Sequence, residues 1–277
     1  MRILDSVRTL VGCSAGSIVC FLIALQFTVD EMIALFEDFT EQIAERDFET
    51  DLDNILSFPE TYGLNDGAIL IDLVKFALKR KHDIEDITFM DLGKRFGRNL
   101  VVCGTNLTTF TTDYFSMDSS PQMSVITAIR ISCSIPLLFT PVTYNDNIYV
   151  DGGVYSNFPF EYVTTIDPLK PQETIGVNIA IKYDKIDSLS SYLTNLICSV
   201  TDKAGKEDHI RTLQYVCNIN VESVSTTYSI LSLKIKRDEL DTLIDVGYKA
   251  MCQHLELLQA ASNSNSQPTD PIFSSIH

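Results

Sequence analysis

Two short segments carry residue types that could do covalent chemistry. The first is Gly12-Cys13-Ser14-Ala15-Gly16. A serine between glycines at a strand-to-helix junction fits a nucleophile elbow, in which a sharp turn projects the hydroxyl and the glycines Gly12 and Gly16 relieve the crowding. The helix that follows aims its first N–H groups, that of Ala15 foremost, at the oxygen of a reacting carbonyl. The plain alternative is a small-residue turn between two apolar elements. The second segment is Tyr149-Val150-Asp151-Gly152-Gly153. An acid ending a strand, with Gly152 and Gly153 letting the chain turn tightly, can reach a serine hydroxyl as a general base when its surroundings raise its pKa. The plain alternative here is an ordinary Asp-Gly turn. The four histidines, His82, His209, His254 and His277, have polar or helix-end settings that read as surface, so a Ser-His-Asp triad has little support.

Taken together these segments resemble the patatin-like phospholipase family. Gly12-Cys13-Ser14-Ala15-Gly16 is similar to its serine block. Ser132-Cys133-Ser134-Ile135-Pro136-Leu137-Leu138-Phe139-Thr140-Pro141 is similar to its middle segment, and Asp151-Gly152-Gly153-Val154-Tyr155-Ser156-Asn157-Phe158-Pro159 to its aspartate block. The resemblance implies a three-layer α/β fold with a central, mostly parallel sheet flanked by helices. It also implies a Ser14–Asp151 dyad without histidine, an acyl-enzyme, and no metal or organic cofactor. The function expected from it is a lipid acyl hydrolase of phospholipase A type, acting on phospholipid or other acyl-lipid.

One departure stands out. The family carries a glycine-rich oxyanion loop some tens of residues before the serine block, whereas thirteen residues precede Ser14 and Gly12 is the sole glycine among them. Relative to the family the chain reads as truncated at its N-terminus. Two expectations follow: Met1 is an internal methionine, or the chain is a catalytically impaired lipid-binding protein on the same fold.

These motifs need elements to position them. Residues 7–11 read as a strand and 15–27 as a helix, with further helices at 29–46, 66–79, 88–96, 124–132, 186–200 and 237–258. Residues 47–65 read as irregular, with Asn65-Asp66 capping the helix after them. Strands are expected at 99–105, 109–115, 140–144, 147–150, 173–181, 215–221 and 230–235, with Asn145-Asp146 as a hairpin turn. One domain over residues 1–259 and a loose Ser/Asn/Pro-rich tail at 260–277 complete the reading.

Composition narrows the partners. Lys+Arg number 21 against 37 Asp+Glu, a net charge of −16, which argues against nucleic acid and against docking on anionic lipid. A protein of this charge that works peripherally at a membrane surface needs an apolar patch to bring it there. Seven cysteines without a CxxC read as buried, reduced thiols of a cytoplasmic protein. No charge lies between Arg8 and Asp30, so a membrane span over 9–29 competes with a buried strand and helix. The apolar helical stripes around Met32 and Phe39, and around Ile69 and Phe76, read as core, with an acyl channel as the alternative.

Overall fold

A computed structural model describes residues 3–42, 58–163, 174–181, 186, 192, 195–196, 199, 216–221 and 237–263. The uncharged run at 9–29 divides at the glycine–serine segment. After a one-turn helix α1 (Ile3–Ser6), strand β1 (Thr9–Gly12) leads through Cys13 and Ser14 into helix α2 (Ala15–Ala24), followed by α3 (Val29–Gln42). Ten residues of α2 rise about 15 Å, half of what a bilayer core requires. Among the described residues no helix is long and apolar enough to cross a membrane. Instead Phe21, Leu22, Ala24 and Leu25 are buried in the core.

Helix α2 stops three residues before the expected end at 27. The Phe27 N–H bonds to Leu22 O and the Gln26 N–H to Ile23 O. Gln26 takes the left-handed conformation, φ 63°, closing the helix with paired Schellman bonds despite the absence of glycine.

Strand β2 (Gly63–Asn65) lies in a stretch expected to be irregular, and pairs in parallel with β5 (Leu137–Phe139). Three residues are too few to announce a strand. The pairing depends on close backbone approach, since a Cβ on Gly63 would stand 2.3 Å from Thr140 N. Helix α4 (Ala68–His82) starts two residues later than expected: its N-cap is Gly67, at φ 71° and without a side-chain cap bond, while Asn65 Oδ1 accepts the Gly67 N–H and Asp66 Oδ1 the Ala68 N–H in the turn that leads into it. Its last turn, Lys79-Arg80-Lys81-His82, runs past 79 because cations there complement the helix dipole. Helix α5 (Phe89–Phe96) is capped by Thr88, whose hydroxyl accepts the Asp91 N–H.

The main sheet is organised around β3 (Asn99–Asn106), which pairs with β1 in parallel and with β4 (Thr111–Phe115) and β7 (Asn147–Asp151) antiparallel. Strand β6 (Val142–Tyr144) adds to β7 through Asn145-Asp146, both at positive φ, the type I′ hairpin that the dipeptide predicts. Residues 100–106 of β3 are all buried, so both faces of the sheet are covered. Helices α2 and α6 (Val125–Ser132) pack on it, α4 packs on α6, and α3 on α4. Leu35, Phe39, Ile69 and Leu73 belong to this core, as the plain reading of their stripes has it.

The α/β class expected from the sequence is the architecture found. A short helix α7 (Gly153–Ser156) follows β7, and β8 (Gly176–Ile181) pairs in parallel with β9 (Val216–Val221), on which α8 (Arg237–Asn263) packs. The helix of α8 carries through Gln259-Ala260-Ala261 to Asn263, so residues 260–263, expected to open the loose tail, are helical; alanine and glutamine continue a helix at little cost. The strand expected at 230–235, ten of the fifteen residues of the helix expected at 186–200 and the tail from 264 lie outside the described residues.

Candidate active site

A strand has two edges, and the ladders of β3 decide where the two motifs end. On one edge β4 pairs with Val102–Asn106. On the other, β1 runs parallel beside Asn99–Val102, and β7 runs antiparallel beside Gly104–Asn106. Strands β1 and β7 therefore lie end to end along the same edge, heading toward each other. They stop opposite Val102 and Gly104, with Cys103 between. Ser14 stands two residues beyond the end of β1, and Asp151 is the last residue of β7. The Ser14 hydroxyl donates to Asp151 Oδ2 at 2.6 Å across a sequence separation of 137 residues. That length is characteristic of a charge-assisted O–H···O⁻ bond.

The backbone of Ser14 is strained, at φ 51° and ψ −130°, which a non-glycine residue holds only when its surroundings enforce it. Two buried hydroxyls do so. Ser132 Oγ accepts the Ser14 N–H at 2.9 Å, and Ser17 Oγ donates to Ser14 O at 2.6 Å. The flanking glycines differ in role. A Cβ on Gly12 would lie 2.6 Å from Gly16 O and from Ser17 Cα, whereas one on Gly16 would meet nothing within 4 Å. Crowding at the elbow thus requires glycine before the serine and not after it. The N–H groups of Gly16 and Ser17 bond to Cys13 O and Ser14 O. That of Ala15, exposed in the first turn of α2, has no acceptor among the described residues.

Asp151 is 2% exposed. Its Oδ1 accepts the Gly153 N–H at 2.7 Å, and its own N–H donates to Ser134 O at 2.9 Å. Burial pushes the carboxyl up to about 6, against the opposing pull of the Ser14 and Gly153 hydrogen bonds. Gly152 is needed for close approach: a Cβ there would stand 2.7 Å from Cys103 O and 3.0 Å from Cys13 Sγ. Cys13, Cys103 and Cys133 are buried and free. The Cys103 hydrogen bond, then burial, drive the Cys13 thiol up, and burial does the same for Cys133. Both stay protonated, so neither competes with Ser14 as a nucleophile.

Residues 130–134 hold both halves of the pair: Ser132 takes the amide of Ser14, and Ser134 that of Asp151. Behind them Arg130, only 6% exposed, meets neutral acceptors. Its Nη1 donates to Ser134 Oγ, Nε and Nη2 to Asp66 O, and Nη2 to Thr140 O. Sequence reasoning placed Ser132 and Ser134 inside a motif but gave them no task, and passed over Arg130. The available signal was a lone cation in the apolar run Ile129-Arg130-Ile131. His82 is not a surface residue: its Nε2 lies 3.0 Å from Leu25 O and its ring packs on Phe96. His254 is also partly buried, while His209 and His277 lie outside the described residues.

The family model for patatin-like phospholipase matches residues 2–164, a span that includes Ser14, the 132–141 segment and Asp151. The chain belongs to the patatin-like phospholipase family. It is 28% identical over 160 residues to a probable lipid hydrolase, 463L, of Invertebrate iridescent virus 6, covering 57% of this chain and 53% of that one. The chain thus spans about half the length of that relative. It is 26% identical over 282 residues to protein R571 of Acanthamoeba polyphaga mimivirus, covering 91% and 84% of the two chains. Among solved structures, VipD from Legionella pneumophila aligns with a TM-score of 0.43 at 19% identity, over 92% of this chain and 49% of that one. All three segments whose resemblance to patatin-like enzymes is visible in the sequence lie within residues 2–164.

Proposed function

We propose that this chain is a lipid acyl hydrolase of phospholipase A type, in which Ser14 is the nucleophile and Asp151 its base. The observation that carries the reading is the 2.6 Å bond from the Ser14 hydroxyl to a buried carboxylate. With its carboxyl near 6, Asp151 is ionised at neutral pH yet basic enough to take a proton. As Ser14 Oγ bonds to the ester carbonyl carbon, its proton passes to Asp151. The oxyanion forms beside the Ala15 N–H at the positive end of α2. Collapse breaks the acyl C–O bond, and the Asp151 proton goes to the departing alkoxide, releasing an alcohol or lysolipid. Water then loses a proton to Asp151 as it attacks the acyl-enzyme; the bond from the acyl carbon to Ser14 Oγ breaks, Asp151 returns the proton to Oγ, and the fatty acid leaves.

The acyl-lipid substrate is met at a membrane surface. Free, buried thiols support a reducing, cytoplasmic setting. The test is turnover of a short-chain ester and of a phospholipid, with labelling by a serine-directed fluorophosphonate. Both activities and the label are expected to vanish in Ser14→Ala, a loss of about a thousandfold or more. Turnover that persists in Ser14→Ala refutes the dyad. A folded protein that binds lipid without turnover or label supports instead the impaired lipid-binding reading.

A further inference from the structure

One apolar feature on the nucleophile's end of the sheet has no part in the chemistry above. Strand β3 runs parallel to β1 and continues past it. From Val102, level with Gly12, five residues at about 3.3 Å each carry the chain roughly 16 Å farther to Leu107. There it turns through residues 107–110 into β4. The turn is built, not loose. Asn106, 2% exposed, accepts the N–H groups of Thr108 and Thr109 on its Oδ1. The Leu107 N–H bonds to Ile148 O, and Thr108 Oγ1 accepts the Ile148 N–H. This frame holds Phe110 at φ 58°, an unfavourable conformation for an aromatic residue, with 72% of it exposed. Leu107 and Ile148, tied together through their backbones, are 40% and 46% exposed.

The charges around this tip select what it can meet. Residues 104–112 carry none. Between Arg98 and Lys170 the only cation in the sequence is Arg130, which is buried, while Asp113, Asp146 and Glu161 are acidic. An anionic surface is repelled by such a face, and a net-neutral one is not. We propose that Leu107, Phe110 and Ile148 form the docking tip by which this protein seats on a zwitterionic lipid surface of the phosphatidylcholine type. The tip inserts apolar side chains beside the nucleophile's end of the sheet. This rests on the acyl-hydrolase reading only for its purpose; the docking itself is independent of turnover.

The chain has no tryptophan, so Phe110→Trp installs a single fluorophore at the tip. With phosphatidylcholine vesicles its emission is expected to shift to the blue, and with phosphatidylserine vesicles at low salt to stay as in buffer. The pair Leu107→Ser and Phe110→Ser is expected to lower vesicle partitioning by about a hundredfold, roughly tenfold for each apolar side chain. Turnover of a water-soluble ester is expected to be unchanged. Ser14→Ala should bind vesicles like the parent, so loss of the hydrolase reading leaves the docking result standing. The proposal is overturned by an unshifted spectrum with phosphatidylcholine, by tighter binding to phosphatidylserine, or by unchanged partitioning of the double variant. Should the double variant fail to unfold cooperatively in urea, the single-fluorophore spectrum alone decides. A tip that proves to hold two copies together and does not respond to vesicles also overturns it.

Discussion

Replacing the buried base by its neutral isostere should make the protein inactive and more stable. Asp151 is 2% exposed and its carboxyl rises from 3.8 to about 6 on folding. A raised carboxyl pKa means that, between those two values, the folded chain holds a proton that the unfolded chain has lost. Stability therefore falls as pH rises through this window. Roughly two units at 1.36 kcal/mol each give about 3 kcal/mol of destabilisation near pH 8. Near pH 5, where the native group is still largely protonated, the same linkage leaves about half of that. Asp151→Asn removes the charge and keeps an oxygen for the Gly153 N–H. Its advantage over the parent should thus be about 3 kcal/mol at pH 8 and about half that at pH 5, which is above the sequence pI of about 4.5. Urea unfolding of both proteins at the two pH values is the assay, and the groups common to both cancel. A variant less stable than the parent at pH 8, or an advantage equal at both pH values, refutes burial as the cause of the raised carboxyl.

Other outcomes follow from the same site. With Asp151 acting as base, kcat/KM for a soluble ester should fall about tenfold per pH unit below about 6 and level off above it; a limb near 4 would count against the assignment. Ser132→Ala leaves the Ser14 N–H buried without its acceptor, a loss of about 1–3 kcal/mol. It should lower kcat about 10- to 100-fold with KM nearly constant, and Ser132→Thr should restore much of the rate; an equal fall in both variants would point to packing alone. Gly12→Ala drives a methyl to 2.6 Å from backbone atoms while Gly16→Ala meets nothing within 4 Å. The first is expected to abolish fluorophosphonate labelling and the second to keep it, and equal labelling would refute the steric account of the elbow.

Local signals in the sequence determined a good part of the molecule. The Gly12–Gly16 segment marks a turn between β1 and α2, Asn145-Asp146 a type I′ hairpin, and Asn65-Asp66 the turn that leads into α4, because each is a choice made by neighbouring residues about backbone angles and hydrogen bonds. Net charge alone pointed away from anionic surfaces, since charge is additive along a chain. The strand β2 was not legible, because three residues form a strand only when β5 supplies their partners, and the end of α2 was missed because Gln26 closes it where a glycine would have announced the stop. His82 looked like a surface residue until the chain brought Leu25 and Phe96 to it. The meeting of Ser14 with Asp151 belongs to the tertiary structure. Their pairing was implied by family resemblance, but the contact exists because β1 and β7 occupy one edge of β3 from opposite directions and halt on either side of Cys103. The tasks of Ser132, Ser134 and Arg130, and the burial that lifts the Asp151 carboxyl, arise in the same way: each depends on atoms that only the packed chain brings within reach.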